Sequence, residues 1–316
     1  MATVRWWTLA APLAPVLAIL AVGLAAGGWL QNILLVSTAR GVAVLTLVVL
    51  WRAGLVSFGH ALYFGLGAYS VAILREHAGV QEAALLILAG GAVAAAVGVA
   101  AGFLVRRYRG IFFAMLNLAF SMILYGAIIK SSALGSTDGF SVGSVTVLGV
   151  GGDPGLTRTW LFVLTGLVAM AAVVVVAALL NAPIGRCARA IQDNEVRVEY
   201  LGVSVEGVIH VYYALSALFT GIAGALLALS LGQVDPDSMV NWTVSGELVF
   251  VTILSGAGGI VTPFIASLLF EILRTYAFEL APHLWHLIIG ATLVAVIAVL
   301  PGGLASLPLR WRRAHG

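Results

Sequence analysis

The sequence predicts an all-α fold, a polytopic transmembrane helical bundle of about ten spans with both termini on the cytoplasmic side. Three observations carry this. Hydrophobic residues make up 61% of the chain and charged residues only 9%, against about 25% charged in an ordinary soluble domain. The mean hydropathy is +1.09, so the chain lacks the polar surface that water requires. Apolar runs recur along the whole length, with arginines clustered in short groups between them.

A spanning helix needs about 20 mostly apolar residues. Runs of that kind fall at 9–28, 33–51, 57–74, 83–105, 111–130, 160–180, 208–231, 244–257, 263–281 and 284–300. The first follows Arg5 and ends in Ala25-Ala26-Gly27, as a secretory signal does. Its length and the spans behind it favour an uncleaved first helix. The third run mixes glycine and polar residues, and the eighth is short. Both are candidates for broken or re-entrant helices, tolerated where protein or a water-filled cavity covers the backbone. The spans are expected to pack as a single transmembrane domain over residues 1–316.

The arginines set the orientation. Arg5, Arg52, Arg106, Arg107, Arg109, Arg186, Arg189, Arg310, Arg312 and Arg313 fall on one side if the spans alternate, and that side is expected to be cytoplasmic. Arg75 and Lys130 are the exceptions. This distribution, with a net charge of only +3, argues against nucleic acid as a partner and for lipid. The loop 131–159, with Thr137, Asp138 and Gly139, then lies outside, as does 232–243 with Asp235-Pro236-Asp237. These loops are either contacts for an extracytoplasmic partner or plain solvated connectors. The single cysteine, Cys187, excludes an intrachain disulfide and reads as a free thiol. Among the 37 glycines, Gly23 and Gly27, and Gly98 and Gly102, have the four-residue spacing of helix-packing seams.

Four segments carry more. Gly54 to Tyr69 reads GLVSFGHALYFGLGAY, with Ser57, Gly59, His60, Gly65 and Gly67 inside an apolar span. A discontinuous helix there exposes backbone dipoles to a polar substrate. His60 is either a pathway residue or a histidine bonded to a neighbouring helix or lying at the cytoplasmic boundary. Arg106 to Tyr125 places Asn117 within a span, either as interhelical glue or as a pathway group. Gly185 to Val205, GRCARAIQDNEVRVEYLGVSV, is the densest polar run. Asp193 and Arg197 stand four apart, as a helix-face ion pair requires, and Gly202 ends the helix. Such a segment docks a cytoplasmic partner or lies in the interface as an amphipathic helix. Gly246 to Pro263 opens with Glu247, a boundary carboxylate or a cavity group, and carries the flexible turn Ser255 to Gly259. No Lys-Ser/Thr pair follows those glycines, so this is not a phosphate loop. No catalytic constellation and no metal-site spacing is evident, so no enzyme is expected, and the chain itself is expected to bind no cofactor.

Together the four segments resemble the permease subunits of branched-chain amino-acid ABC importers of the LivM type. GLVSFGHALYFGLGAY is similar to that family's Ser-x-Gly-His…Gly-x-Gly-Ala-Tyr signature, RGIFFAMLNLAF followed by GSTDGF to its second block, GRCARAIQDNEVRVEYLGVSV to its cytoplasmic loop, and ILSGAGGIVTP to its late glycine turn. The order holds from about residue 40 to 304. The resemblance implies a heteromeric importer in the bacterial cytoplasmic membrane. Its other parts would be a LivH-like permease, two cytoplasmic ATPases that hold ATP and Mg, and an extracytoplasmic substrate-binding protein. It also implies that 185–206 is the coupling segment, with Arg186, Arg189, Asp193, Asn194, Glu195 and Gly202 meeting the ATPase. The candidate pathway residues read from the segments themselves are Ser57, Gly59, His60, Gly65, Gly67, Asn117 and Glu247. Leu55 stands where many relatives have Gln, and Met122 where some have Glu. The wider family takes up branched-chain amino acids, urea, short amides and small aromatic or carboxylic acids. A neutral or zwitterionic substrate is expected, since the spans hold no cluster of like charges. A stand-alone channel or secondary transporter is the rival reading, and it has no use for the polar 185–206 segment.

Overall fold

The computed structural model describes residues 13–151, 153–300 and 302–306; Arg5, Arg310, Arg312 and Arg313 lie outside them. Helices dominate: α1 (Ala14–Ala26), α2 (Gly28–Trp51), α3 (His60–Ala78), α4 (Ala83–Val105), α5 (Gly110–Lys130), α6 (Pro154–Asn181), α7 (Pro183–Tyr200), α8 (Val205–Leu231), the single turn α9 (Pro236–Met239), α10 (Trp242–Ser255), α11 (Thr262–Leu280) and α12 (Trp285–Val299). Two short strands, β1 (Phe140–Ser141) and β2 (Gln233–Val234), pair antiparallel.

Among the described residues, six stretches are long and apolar enough to cross a membrane: α2, α4, α5, α6, α8 and Trp285–Ser306. The other apolar runs fold into helices that are shorter or less apolar. The run 9–28 becomes α1, whose last described turn gives way at Gly27, with φ +62°. Gly27 has nothing within reach of an added Cβ, so it is a hinge point and not the seam its spacing predicts. Gly23 does pack, against the Phe162 ring. The run 57–74 starts its helix only at His60. Residues 53–59 before it are irregular, and Ala53, Leu55, Ser57 and Gly59 are buried under protein, the condition under which non-helical backbone is tolerated at membrane depth.

Local chemistry sets several helix starts. Asp153 caps α6 by accepting from the Gly155 N–H (2.9 Å), Ser204 caps α8 through Gly207 (3.1 Å), and Asn241 caps α10 through Thr243 (3.2 Å). Proline occupies the first turn of α6, α7, α9 and α11, where its missing N–H is not needed. Helix α2 is the axis of the bundle, with 94% of its apolar window buried, whereas α5 is peripheral at 22%. Helix α8 packs on α3 and α4 through backbone contact. An added Cβ at Gly67 would overlap the Gly221 carbonyl, and one at Gly224 would overlap that of Phe64. Gly98 meets Ala217 and Gly102 meets the His210 ring, so this second predicted pair does form a seam.

Polar contacts gather at two opposite ends. At one, Arg52 donates to the Ala257 carbonyl (2.6 Å), Gly54 abuts Gln192, and Arg106 pairs with Glu206 (3.1 Å). At the other, Arg75, an exception to the arginine pattern, donates to the Val142 (2.8 Å) and Ser144 carbonyls. Glu82 clasps the same loop, accepting from the N–H groups of Leu148 (2.6 Å) and Gly149 and from Thr146 Oγ1. The pairing of β1 with β2 ties the 131–159 loop to the 232–241 loop.

Candidate functional site

Helix α7 runs across the arginine-rich end of the bundle. Gly185, Ala188, Ile191 and Val198 are buried against it. The helix is broken at Asn194 (φ −164°, ψ 101°), whose Oδ1 accepts from the Arg197 N–H (3.0 Å) and so caps the second piece. That break separates Asp193 from Arg197, and among the described residues no ion pair joins them, contrary to their i,i+4 spacing. Glu195 instead meets Arg109 at the α4–α5 turn (2.7 Å). Gly202 (φ +80°) closes the segment. Arg186, Arg189, Asp193 and Asn194 are exposed, as are Val196 (55%), Tyr200 (88%) and Leu201 (81%). These apolar side chains stand uncovered beside the charged ones of the same segment.

The residues expected to line a pathway separate into two groups. His60 is fully buried, with Nδ1 2.8 Å from Ser57 Oγ and Nε2 2.7 Å from Ser216 Oγ. The Tyr63 hydroxyl donates to that of Tyr213 (2.7 Å), and Tyr213 in turn donates to Asn117 Oδ1. Asn117 Nδ2 donates to the Phe113 carbonyl (2.7 Å). Gly59 sits against the Asn117 backbone, Gly65 against Val240 and Gly67 against Gly221. Of the two readings of His60 and of Asn117, the geometry here is that of interhelical bonding. Ser57 and Leu55 line a separate pocket of about 110 Å³, and Met122 is 39% exposed on the peripheral α5.

Glu247 is different. It lines a cavity of about 540 Å³ walled by α2, α10, α11 and α12 and reaching the 235–243 loop, where Asp235, Asp237 and Asn241 also face it. It is the hub of four charged side chains on α2, α10 and α11. Arg40 bonds Glu247 (3.1 Å) and approaches Glu271 (3.4 Å), and Arg274 approaches Glu247 (3.8 Å). The side chains of Arg40, Glu247 and Glu271 are 11%, 20% and 13% exposed. Reading the sequence missed Arg40, Glu271 and Arg274. The signal was present, since any ionisable residue inside an apolar span points to function. At the loop end, Thr137 and Asp138 are exposed, while Gly139 (φ +71°) is pressed against the Val234 carbonyl. Asp237 there accepts from the Tyr125 hydroxyl (2.6 Å).

Six long apolar helical stretches packed around buried polar contacts and a charged cavity define a multi-pass integral membrane protein. The chain belongs to the family described as branched-chain amino acid transport system / permease component, whose model it matches over residues 29–297. It is similar to the high-affinity branched-chain amino acid transport system permease protein LivM of Escherichia coli (strain K12) and to that of Salmonella typhimurium (strain LT2). Each is 27% identical over 279 residues, which is 81% of this chain and 65% of the relative. The chain therefore spans less than two thirds of the length of these curated relatives. No solved structure matches it.

Proposed function

We propose that this chain is the membrane-spanning permease subunit of an ATP-driven importer for branched-chain or other small neutral amino acids. It would cross the bacterial cytoplasmic membrane about ten times, with both termini and the arginine-rich end inside. Its partners would be a LivH-like permease, two cytoplasmic ATPases that carry the ATP and Mg, and an extracytoplasmic binding protein that meets Thr137, Asp138 and Gly139. Residues 185–206 form the coupling segment. The observation that carries this reading is the exposed Val196, Tyr200 and Leu201 on a segment anchored by Arg109 to Glu195. A stand-alone channel has no need of an apolar docking tip in water. When nucleotide closes the ATPase pair, force on α7 reaches the α4–α5 turn through that ion pair and favours one access state of the bundle over the other.

The test is affinity purification from native membranes in mild detergent, followed by mass spectrometry. Recovery of a second permease and two ATPase chains is expected. A chain recovered alone, under conditions that preserve other importers, refutes the reading in favour of a stand-alone channel or secondary transporter.

A further inference from the structure

Arg274 stands out among the charges of the cavity. Arg40 is held between two carboxylates and is 11% exposed. Arg274, 31% exposed, has Glu247 only at 3.8 Å, beyond hydrogen-bond length, and its guanidinium carbon lies 5.7 Å from the centre of the Trp285 ring. Among the described residues it donates no hydrogen bond. A guanidinium carries five N–H donors in a planar fork that matches a carboxylate through two parallel bonds. With its nearest carboxylate beyond hydrogen-bond length, this fork has donors left to offer a solute in the cavity. Arg40 and Arg274 line the cavity with Glu247, Asp235 and Asp237 stand at its loop end, and Glu271 sits outside the lining beside Arg40. Phe58, Phe250 and Ile289 supply apolar wall, and about 540 Å³ accommodates a small solute.

We propose that Arg274 is the specificity-determining residue of this cavity, taking a solute carboxylate in a forked pair while Phe58, Phe250 and Ile289 hold the solute's apolar body. The proposal rests on the transport reading and deepens it. It demands a carboxylate, and so admits amino acids and small carboxylic acids while rejecting urea and amides. Asp235 and Asp237, at the loop end of the same cavity, offer countercharge to an ammonium group.

The test uses the chain with its co-purifying partners in proteoliposomes, without binding protein, so that the solute preference read is the cavity's own. Thr243, exposed on the cavity wall, is replaced by cysteine in a Cys187→Ser background, and its labelling by a sulfonated thiol reagent is timed. Leucine and 4-methylpentanoate, which share the carboxylate and the apolar body, are expected to slow labelling; leucinamide and urea are not. Arg274→Gln is expected to weaken the protection by leucine about 10- to 100-fold, the loss that goes with removing a charge-assisted pair. Arg274→Lys, which keeps the charge and loses the fork, is expected to fall between the two. Equal protection by leucinamide and leucine, protection that survives Arg274→Gln, or no protection by any of the four solutes overturns the proposal. None of these outcomes touches the importer reading, which fails separately if neither ATPase nor second permease co-purifies.

Discussion

Glu247→Gln neutralises the hub of the buried charge network while preserving its shape. In the native protein two arginines and two glutamates balance. The substitution leaves Arg40 with Glu271 alone at 3.4 Å and Arg274 with no carboxylate within 4 Å. Breaking a fully buried pair costs about 3–5 kcal/mol, whereas exposed pairs are worth about 0–1 kcal/mol. Glu247 is 20% exposed and Arg40 keeps one partner, so about 2–3 kcal/mol is expected, or a Tm lower by roughly 5–10 °C. Arg40→Gln strands Glu271 and leaves Glu247 with Arg274 alone at 3.8 Å, so it should cost more, about 3–5 kcal/mol. Arg274→Gln, with the longest contact and the most exposed side chain, should cost least. The double substitution Glu247→Gln with Arg274→Gln restores charge balance, so it should be less destabilised than the sum of the singles by about 1 kcal/mol. Thermal unfolding of the purified protein in detergent, followed by tryptophan fluorescence, measures all four. A Glu247→Gln protein that melts with the wild type, or strict additivity in the double, refutes the account of a coupled network.

Other consequences are local. Gly67→Val drives a side chain into the Gly221 carbonyl and should destabilise the α3–α8 crossing by about 1–3 kcal/mol, visible as aggregation in size-exclusion chromatography; a monodisperse variant contradicts the backbone contact. His60→Ala strands the hydroxyls of Ser57 and Ser216 and should lower stability by about 1–3 kcal/mol; a loss of uptake at unchanged Tm would instead return His60 to the pathway. Asp193→Arg, or Tyr200→Ala with Leu201→Asp, should uncouple ATP hydrolysis from uptake or release the ATPases while membrane insertion persists; unaltered uptake removes the docking role from 185–206. Glu82 lies outside the spans. Partial desolvation pushes its carboxyl up, but hydrogen bonds from the Leu148 and Gly149 N–H groups and the Thr146 hydroxyl outweigh this and hold it below its ordinary 4.5. A depressed carboxylate stabilises above its unfolded value and loses that contribution as pH falls through the folded one. The protection factors of the amides at 146–150, corrected for the intrinsic pH dependence of exchange, should therefore fall below about pH 4.5 in the wild type and be low at all pH values in Glu82→Gln.

Much of the candidate site was legible, unevenly. The 185–206 segment stood out because a polar run is conspicuous in a chain with 9% charged residues. Its internal break at Asn194 did not, since Asn is compatible with either a helix interior or a cap, and its capping of Arg197 is settled only once the chain turns. Glu247 was read as a boundary or cavity group because it opens an apolar run. Arg40, Glu271 and Arg274 were hidden by the length of the runs around them, each long enough to remain apolar on average. His60 and Asn117 were open to two readings, since their partners Ser216 and Tyr213 lie 156 and 96 residues away.

The apolar surroundings, the helical class and the segregation of arginines between apolar runs were legible in advance, because they follow from composition and one-dimensional spacing. Backbone groups in hydrocarbon must be satisfied within their own segment, so an apolar run of sufficient length has little choice but a helix. Packing settled which runs form shorter or less apolar helices, which glycine pair meets a neighbouring helix and which polar side chains face one another. Those outcomes depend on distances between residues far apart in the chain. Four charges on three helices form a network around one cavity only because α2, α10 and α11 pack side by side, and no periodicity along a single helix encodes that meeting.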